Sequence, residues 1–161
     1  SGAIVINLHK TDPLETEFVY VRGGNRFLRG PKGLPLLKPP YSRLSAIDLN
    51  TGDYAWVIPN GNGIRQRIID LGIPDPGPVG APFSHTPPLL TKSLLFVAQS
   101  DEGKALLRAR DKATGALIHE IELPMRPFGA PMTYMVDGKQ YISVAAMASR
   151  KEAGLVTLAL P

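Results

Sequence analysis

The sequence has no cysteine and no long apolar run. The missing cysteine excludes disulfides, thiolate metal sites and a cysteine nucleophile. No apolar stretch is long enough to cross a bilayer, and no amphipathic pattern extends over three helical turns. Nucleotide-binding glycine fingerprints and serine-hydrolase elbows are also absent. Glycine and proline are abundant, with sixteen of each falling between short apolar runs. This distribution of glycine and proline predicts turns between strands.

The net charge of +4 comes largely from one basic cluster near the start of the chain. Its members are Arg22, Arg26, Arg29, Lys32, Lys38 and Arg43. Such a cluster could bind nucleic acid or an anionic membrane surface. No recognition helix, zinc finger or aromatic RNA-binding strand accompanies it. We therefore expect a solvated basic face and no nucleic-acid partner.

An eleven-residue motif occurs twice, and the second copy begins sixty-three residues after the first. Both copies have the form A-x-D-x-x-T-G, and four positions later Trp in the first copy is replaced by His in the second. The motif residues are Ala46, Asp48, Thr51, Gly52 and Trp56, then Ala109, Asp111, Thr114, Gly115 and His119. Repetition at this spacing predicts a radially repeated β architecture.

The first copy predicts a hairpin between two half-buried strands. Residues 43–47 alternate polar and apolar side chains as such a strand does. Asp48 is placed to accept backbone N–H bonds from the turn that follows. Gly52 supplies the positive φ that closes a tight connection. The returning strand presents three side chains on one face, namely Tyr54, Trp56 and Ile58.

The sequence predicts an all-β fold. Expected strands cover residues 3–8, 17–21, 43–48, 54–58, 89–90, 94–99, 105–111, 117–123, 131–136, 140–146 and 155–160, with residues 65–71 left as a helix or an extended segment. Four strands per blade give two to three four-stranded antiparallel blades over residues 1–161, and a closed propeller needs about four to eight. We therefore predict a single partial β-propeller domain that belongs to a larger ring or is completed by other copies.

Several segments besides the repeat carry a family resemblance. They are Lys38-Pro39-Pro40-Tyr41, residues 106–109, residues 129–134 continuing through 137–141, and the closing strand 155–161. With the repeat, they make residues 38–161 resemble the C-terminal part of the pyrroloquinoline-quinone (PQQ)-dependent dehydrogenases, especially the glucose dehydrogenase branch. The repeat is similar to that family's tryptophan-docking motif, which ties neighbouring blades together.

The resemblance implies an eight-bladed periplasmic propeller whose parent protein is attached to the inner membrane in some members. Such enzymes hold PQQ and calcium on the propeller axis, oxidise a sugar or alcohol hydroxyl with an aspartate base, and pass electrons to ubiquinone or a cytochrome. The base and the calcium ligands lie in earlier blades of the family. The resemblance therefore implies a chain that is inactive alone, binds neither cofactor by itself, and has the remaining blades as its partner.

The sequence departs from the family at three places. His119 replaces the second docking Trp, and an imidazole covers less area than an indole. Residues 84–87 and 147–150 replace glycine-containing segments that face the cofactor in the family. Within them, the resemblance makes His85, Thr86 and Ser149 the candidate cofactor-binding residues, and it offers no catalytic or metal-binding residue.

Other chemically suggestive residues have plainer interpretations. Asp101 and Glu102 form an acidic pair in a predicted loop, where carboxylates are expected to be solvated. Arg108 and Arg110 share one face of a strand, with solvent exposure as the first expectation and an ion pair between blades as the alternative. The four methionines, Met125, Met132, Met135 and Met147, are expected to fill core gaps.

A second function class is a non-catalytic propeller scaffold like the outer-membrane assembly lipoprotein that shares these repeats. Scaffold propellers have compact blades, whereas the sixty-three-residue spacing here includes a long loop rich in Pro and Gly. That loop and residues 131–134 favour the dehydrogenase. An incomplete ring would also leave open sheet edges, so self-association of the isolated chain is expected.

Overall fold

The computed structural model describes residues 29–81, 86–149 and 152–159. These stretches contain ten strands and one short α-helix, which confirms the all-β class. Two predicted strands, residues 3–8 and 17–21, lie outside the described residues.

The chain divides into two compact units, Ser1–Leu36 and Leu37–Pro161. The described part of the first unit holds a short 3₁₀ turn at Pro31–Gly33 and an isolated bridge between Arg29 and Pro35. Every sheet described below belongs to the second unit.

The strands of the second unit pair only with antiparallel neighbours in the part of the chain that the structure describes. They are β1 (Arg43–Ile47), β2 (Tyr54–Pro59), β3 (Leu89–Leu90), β4 (Leu94–Asp101), β5 (Lys104–Asp111), β6 (Leu117–Glu122), β7 (Arg126–Pro127), β8 (Met132–Val136), β9 (Lys139–Ser149) and β10 (Glu152–Ala159). Helix α1 (Arg65–Asp70) resolves the alternatives left open for residues 65–71.

The strands form three sheets, which are named here in chain order. Sheet I is the hairpin β1–β2, and sheet II has the order β3-β4-β5-β6. In sheet III, β9 pairs with β10 on one side and with both β7 and β8 on the other. Sheets II and III thus have the up-and-down order expected of propeller blades.

One edge strand of sheet III is interrupted. Arg126 lies opposite Met147 and Met132 lies opposite Ser143, so β7 and β8 occupy successive parts of the same β9 edge. The sequence predicted only the second part, because a two-residue strand containing Pro127 shows no alternation.

The apolar core lies between sheets II and III. Ala98 and Leu107 are opposite each other in sheet II and form a buried cluster with Leu123 and with Val144 of sheet III. Removing these side chains from water supplies the usual hydrophobic stabilisation of about 25 cal/mol per Å².

The opposite face of sheet II combines buried apolar and polar side chains, and its polar end meets the segment after sheet I. Gln99 and Asp101 point to this face, two and four residues beyond buried Val97. The Gln99 side chain donates to the backbone carbonyl of Asn60 at 3.3 Å. Sheet II therefore has an apolar contact with sheet III on one face and a contact that includes buried polar groups on the other.

Candidate functional site

Trp56 connects sheet I to sheet II. Its indole Nε1 donates to the backbone carbonyl of Lys112, 3.1 Å away, in the turn of the second motif copy. A Cβ added to Gly115 would lie 2.9 Å from the Trp56 ring, so the indole lies directly against the glycine backbone. The first motif copy thus docks on the turn of the second, as the resemblance implied.

The two turns are closed by the same local chemistry. Asp48 Oδ1 accepts the backbone N–H of Asn50 at 2.8 Å, which confirms the predicted Asx turn. Asp111 Oδ1 accepts both the backbone N–H and the hydroxyl of Thr114 at 2.8 Å. The Thr114 hydroxyl and backbone hydrogen bonds therefore lower the pKa of Asp111. In both copies the motif Asp organises the turn.

The motif glycines have the predicted backbone conformation. Gly52 has φ +80° and Gly115 has φ +75°. Only Gly115 also faces the Trp56 ring, because a Cβ on Gly52 would meet nothing within 4 Å. The glycine of the second copy therefore serves both the turn and the docking contact.

The docking position of the second copy is occupied by His119. Ala109 lies opposite His119 as Ala46 lies opposite Trp56, and the strand register shifts immediately afterwards in both pairs. His119 is exposed, on the same face of sheet II as Leu107. The two copies are therefore structurally equivalent, although within the part of the chain that the structure describes only Trp56 docks on the turn of another repeat.

A charged cluster lies where the end of sheet I meets sheet II. Arg108 Nη2 lies 2.8 Å from Asp101 Oδ2, and Arg108 Nε lies 2.5 Å from Glu120 Oε2 across the β5–β6 pair. The Asp101 side chain is 1% exposed and that of Arg108 is 7% exposed. Burial works against the charged guanidinium, yet the two carboxylates outweigh it and raise the pKa of Arg108.

Asp101 also binds the turn that follows sheet I. Its carboxylate accepts the backbone N–H of Asn62 at 2.9 Å and that of Gly63 at 2.7 Å. A Cβ on Gly61 would come within 2.5 Å of Asp101 Oδ2, so the close approach requires glycine there. Asp101 therefore links sheet II to the turn that follows sheet I, a role that its place in the acidic pair with Glu102 did not indicate.

These contacts correct three sequence predictions. Asp101 is buried rather than solvated, because the turn at residues 60–63 covers it. Arg108 is buried rather than exposed, and its ion pairs lie within sheet II rather than between blades. Met132 and Met135 are 49% and 62% exposed, so these two do not fill the core.

The candidate cofactor-binding residues are only partly covered by the structure. His85 lies outside the described residues. Thr86 precedes β3, the first strand of sheet II, and Ser149 ends β9, the second strand of sheet III. In antiparallel sheets of this order, the start of the first strand and the end of the second lie at the same end of the sheet. Thr86 and Ser149 thus belong to corresponding ends of two sheets.

The described residues do not form a cofactor cavity from these candidates. The cleft between sheets I and II is lined by neither Thr86 nor Ser149. Among residues 29–81, 86–149 and 152–159, no group of three or more His, Cys, Asp or Glu side chains could hold a metal ion. Within the same stretches no helix is long and apolar enough to span a membrane. The two hydroxyls alone do not define a fit for PQQ.

Sheets stacked face to face, with an indole docked on the next repeat, define a segment of a β-propeller. Residues 8–142 match the PQQ family described as "Glucose/ethanol/alcohol dehydrogenase, beta-propeller domain". The chain belongs to this family.

Individual proteins agree with this assignment. The chain is 35% identical over 82% of its length to "Probable quinate dehydrogenase (quinone)" of Xanthomonas campestris pv. juglandis, and 32% identical over 76% to "Quinoprotein glucose dehydrogenase" of Escherichia coli. It covers 17% and 15% of those proteins. The quinohemoprotein alcohol dehydrogenase structure from Comamonas testosteroni matches 80% of the chain with TM-score 0.50 and 23% identity, and 18% of that protein is covered. The chain thus spans about a sixth of the curated relatives it matches.

Proposed function

We propose that this chain supplies C-terminal blades of a PQQ-dependent dehydrogenase that oxidises a sugar or alcohol hydroxyl. The observation that carries the proposal is the family match over residues 8–142. The Trp56 contact with the second repeat supports it, because that contact joins two successive sheets. The chain's role in this proposal is architectural: it completes the ring that holds the cofactor.

The substrate is proposed to be a glucose-like sugar or another polyhydroxylated alcohol. Relatives named for glucose, quinate and glycerol support this range. PQQ supplies the redox chemistry in such enzymes, while the protein positions it. We propose calcium as its companion ion, ubiquinone or a cytochrome as electron acceptor, and the periplasm as location.

The placement of the candidate residues suggests how the chain would contribute to the cofactor site. Thr86 precedes β3 and Ser149 ends β9, so the two residues lie at corresponding ends of sheets II and III. We propose that this end, with His85, faces the quinone in the complete ring. A single domain over residues 1–161, forming the last part of an eight-bladed propeller, remains our prediction.

Dye-linked activity of the full-length parent protein tests the proposal. The parent should reduce a dye with glucose, quinate or glycerol after loading with PQQ and Ca²⁺, and the 161-residue chain should not. The triple variant His85→Ala/Thr86→Ala/Ser149→Ala should weaken PQQ binding, while Thr133→Ala, in β8, serves as a matched hydroxyl control. A parent that folds but neither binds PQQ nor reduces dye would instead support the assembly-scaffold alternative.

Exposed apolar side chains support self-association of the isolated chain. Phe128, which directly follows β7, and Met132 and Leu155 of sheet III are between 49% and 64% exposed. We expect sedimentation to show a concentration-dependent rise in mass. A monomer at every concentration would contradict this expectation.

A further inference from the structure

The turn that Asp101 binds contains a chemically labile pair of residues. Asn62 precedes Gly63, and in such a pair the backbone nitrogen of the glycine can attack the side-chain carbonyl carbon of the asparagine. Glycine hinders this attack least because it has no Cβ, and asparagine is among the heat-sensitive residues of proteins. The surroundings of the pair therefore decide how fast Asn62 loses its amide group.

Both nitrogen atoms that the reaction uses are engaged in the folded chain. The attacking atom, Gly63 N, donates its hydrogen to Asp101 Oδ1 at 2.7 Å. The atom that would leave, Asn62 Nδ2, donates to Glu102 Oε2 at 3.1 Å. Because Asp101 is buried, water does not compete freely for the first of these bonds. The attacking nitrogen is thus occupied by a carboxylate that the fold holds in place.

The backbone of the pair is also closely packed. Gly63 has φ +67°, and a Cβ added to it would overlap the Gly80 carbonyl. Ring closure requires the peptide between Asn62 and Gly63 to rotate, which this packing opposes. The pair nevertheless adjoins solvent, since Asn62 and Glu102 line a cleft of about 660 Å³. Local opening of the turn therefore suffices for reaction, and such openings cost less than global unfolding.

We propose that Asn62–Gly63 is a deamidation site whose reactivity Asp101 suppresses. When the turn leaves Asp101, Gly63 N bonds to Asn62 Cγ, the Cγ–Nδ2 bond breaks, and Nδ2 takes up the Gly63 proton and departs as ammonia. Water then opens the resulting succinimide at either carbonyl and gives aspartate or isoaspartate. This inference is independent of the proposed dehydrogenase function.

The modification would keep the contact open. A carboxylate at position 62 replaces the Nδ2 donor that faces Glu102, so two negative charges meet where a hydrogen bond was. Isoaspartate also lengthens the main chain by one atom and displaces the Gly63 N–H from Asp101. Deamidation is thus a one-way change that weakens the link between sheet II and the turn after sheet I.

Mass spectrometry of the folded 161-residue chain after incubation at mildly alkaline pH tests the proposal. Trypsin then releases residues 44–65 as one peptide, in which fragmentation locates the mass increase at Asn50, Asn60 or Asn62. Asn50 is the slow internal reference, because the branched side chain of Thr51 hinders attack. Asn62 should react much more slowly in the folded chain than in the same peptide incubated alone.

Two variants separate local from global opening. Asp101→Asn should speed deamidation of Asn62 by about tenfold or more. Val144→Ala removes methyl groups from the cluster between sheets II and III, far along the chain from the turn, and should raise the rate by less. Equal rates in the two variants, or in the folded wild-type chain and the isolated peptide, would overturn the proposal.

A further pair of variants tests the consequence of the modification. Asn62→Asp and Asn62→Ala both remove the hydrogen bond to Glu102, but only Asn62→Asp adds a negative charge. Asn62→Asp should therefore lower the urea midpoint by more than Asn62→Ala does. Equal midpoints would show that the added charge does not weaken the contact and would overturn this part of the proposal.

Discussion

Replacing Asp101 by Asn should uncouple the turn after sheet I from sheet II. The carboxylate accepts three hydrogen bonds, from two backbone N–H groups and from Arg108. Asn keeps only one acceptor oxygen, so its amide nitrogen must face a donor, either the Gly63 N–H at the Oδ1 position or both the Asn62 N–H and Arg108 Nη2 at the Oδ2 position. The substitution also removes one of the two negative charges that neutralise buried Arg108.

The size of the effect follows from these contacts. A hydrogen bond to a charged group contributes about 1.5–3 kcal/mol, and removing one partner of a buried ion pair costs about 3–5 kcal/mol. Because Glu120 still pairs with Arg108 and the Asn oxygen retains part of the network, we expect Asp101→Asn to lower the free energy of unfolding by about 3 kcal/mol.

Urea denaturation followed by tryptophan fluorescence measures this loss directly. Trp56 is the only tryptophan of the chain and lies at the contact between sheets I and II, so its signal reports their separation. Glu102→Gln is the matched control, since it removes the adjacent, exposed carboxylate and should leave stability close to that of the wild type. If Asp101→Asn lowered the free energy of unfolding no more than Glu102→Gln does, the proposed coupling between the turn and sheet II would be wrong.

Three further predictions concern single contacts. Trp56→Ala should lower the free energy of unfolding by about 2–3 kcal/mol, which is less than the loss expected at a fully buried site. Circular dichroism in urea measures this change, and an unchanged urea midpoint would refute the docking contact. Gly115→Ala should lower the free energy of unfolding by more than Gly52→Ala does. Both substitutions force alanine into a positive φ, but only the first places a Cβ 2.9 Å from the Trp56 ring. Equal decreases in the free energy of unfolding would contradict this. The hydrogen bonds from the Arg65 side chain and the Gly77 backbone lower the pKa of Asp75 to about 2. Its stabilising contribution is therefore complete above the unfolded pKa near 4 and is lost as pH falls towards 2, and NMR titration of Arg65→Gln should show the Asp75 midpoint moving up.

The strands were largely predictable because their signals are local. The motif turn at residues 48–53 is closed by side chains and backbone groups within a few residues of one another. Alternation then fixes which side chains share a face, and both hairpins appear where the two motif copies predict them. Strand β4 continues to Asp101 beyond the predicted end at Gln99 because it pairs with β5 up to Lys104.

The polar contact between sheets I and II was not predictable, because its partners are distant in sequence. Asp101 meets Asn62 and Gly63 across 39 and 38 residues. Alternation places Arg108 on a face but does not reveal what covers that face. An exposed position was therefore a reasonable expectation for Arg108 and a wrong one. The only local feature of this contact in the sequence is Asn60-Gly61-Asn62-Gly63. These residues predict a turn, but they do not indicate what the turn packs against.

Trp56 and His119 occupy equivalent positions but have different surroundings. In sheet I the docking position points to sheet II, where the turn containing Gly115 receives the indole. In sheet II the equivalent position, His119, is exposed on the face that carries Leu107. Sheets II and III are instead joined by the apolar contact of Ala98, Leu107 and Val144. The loss of the second Trp is therefore compatible with a stable stack, because a different interaction joins these two sheets.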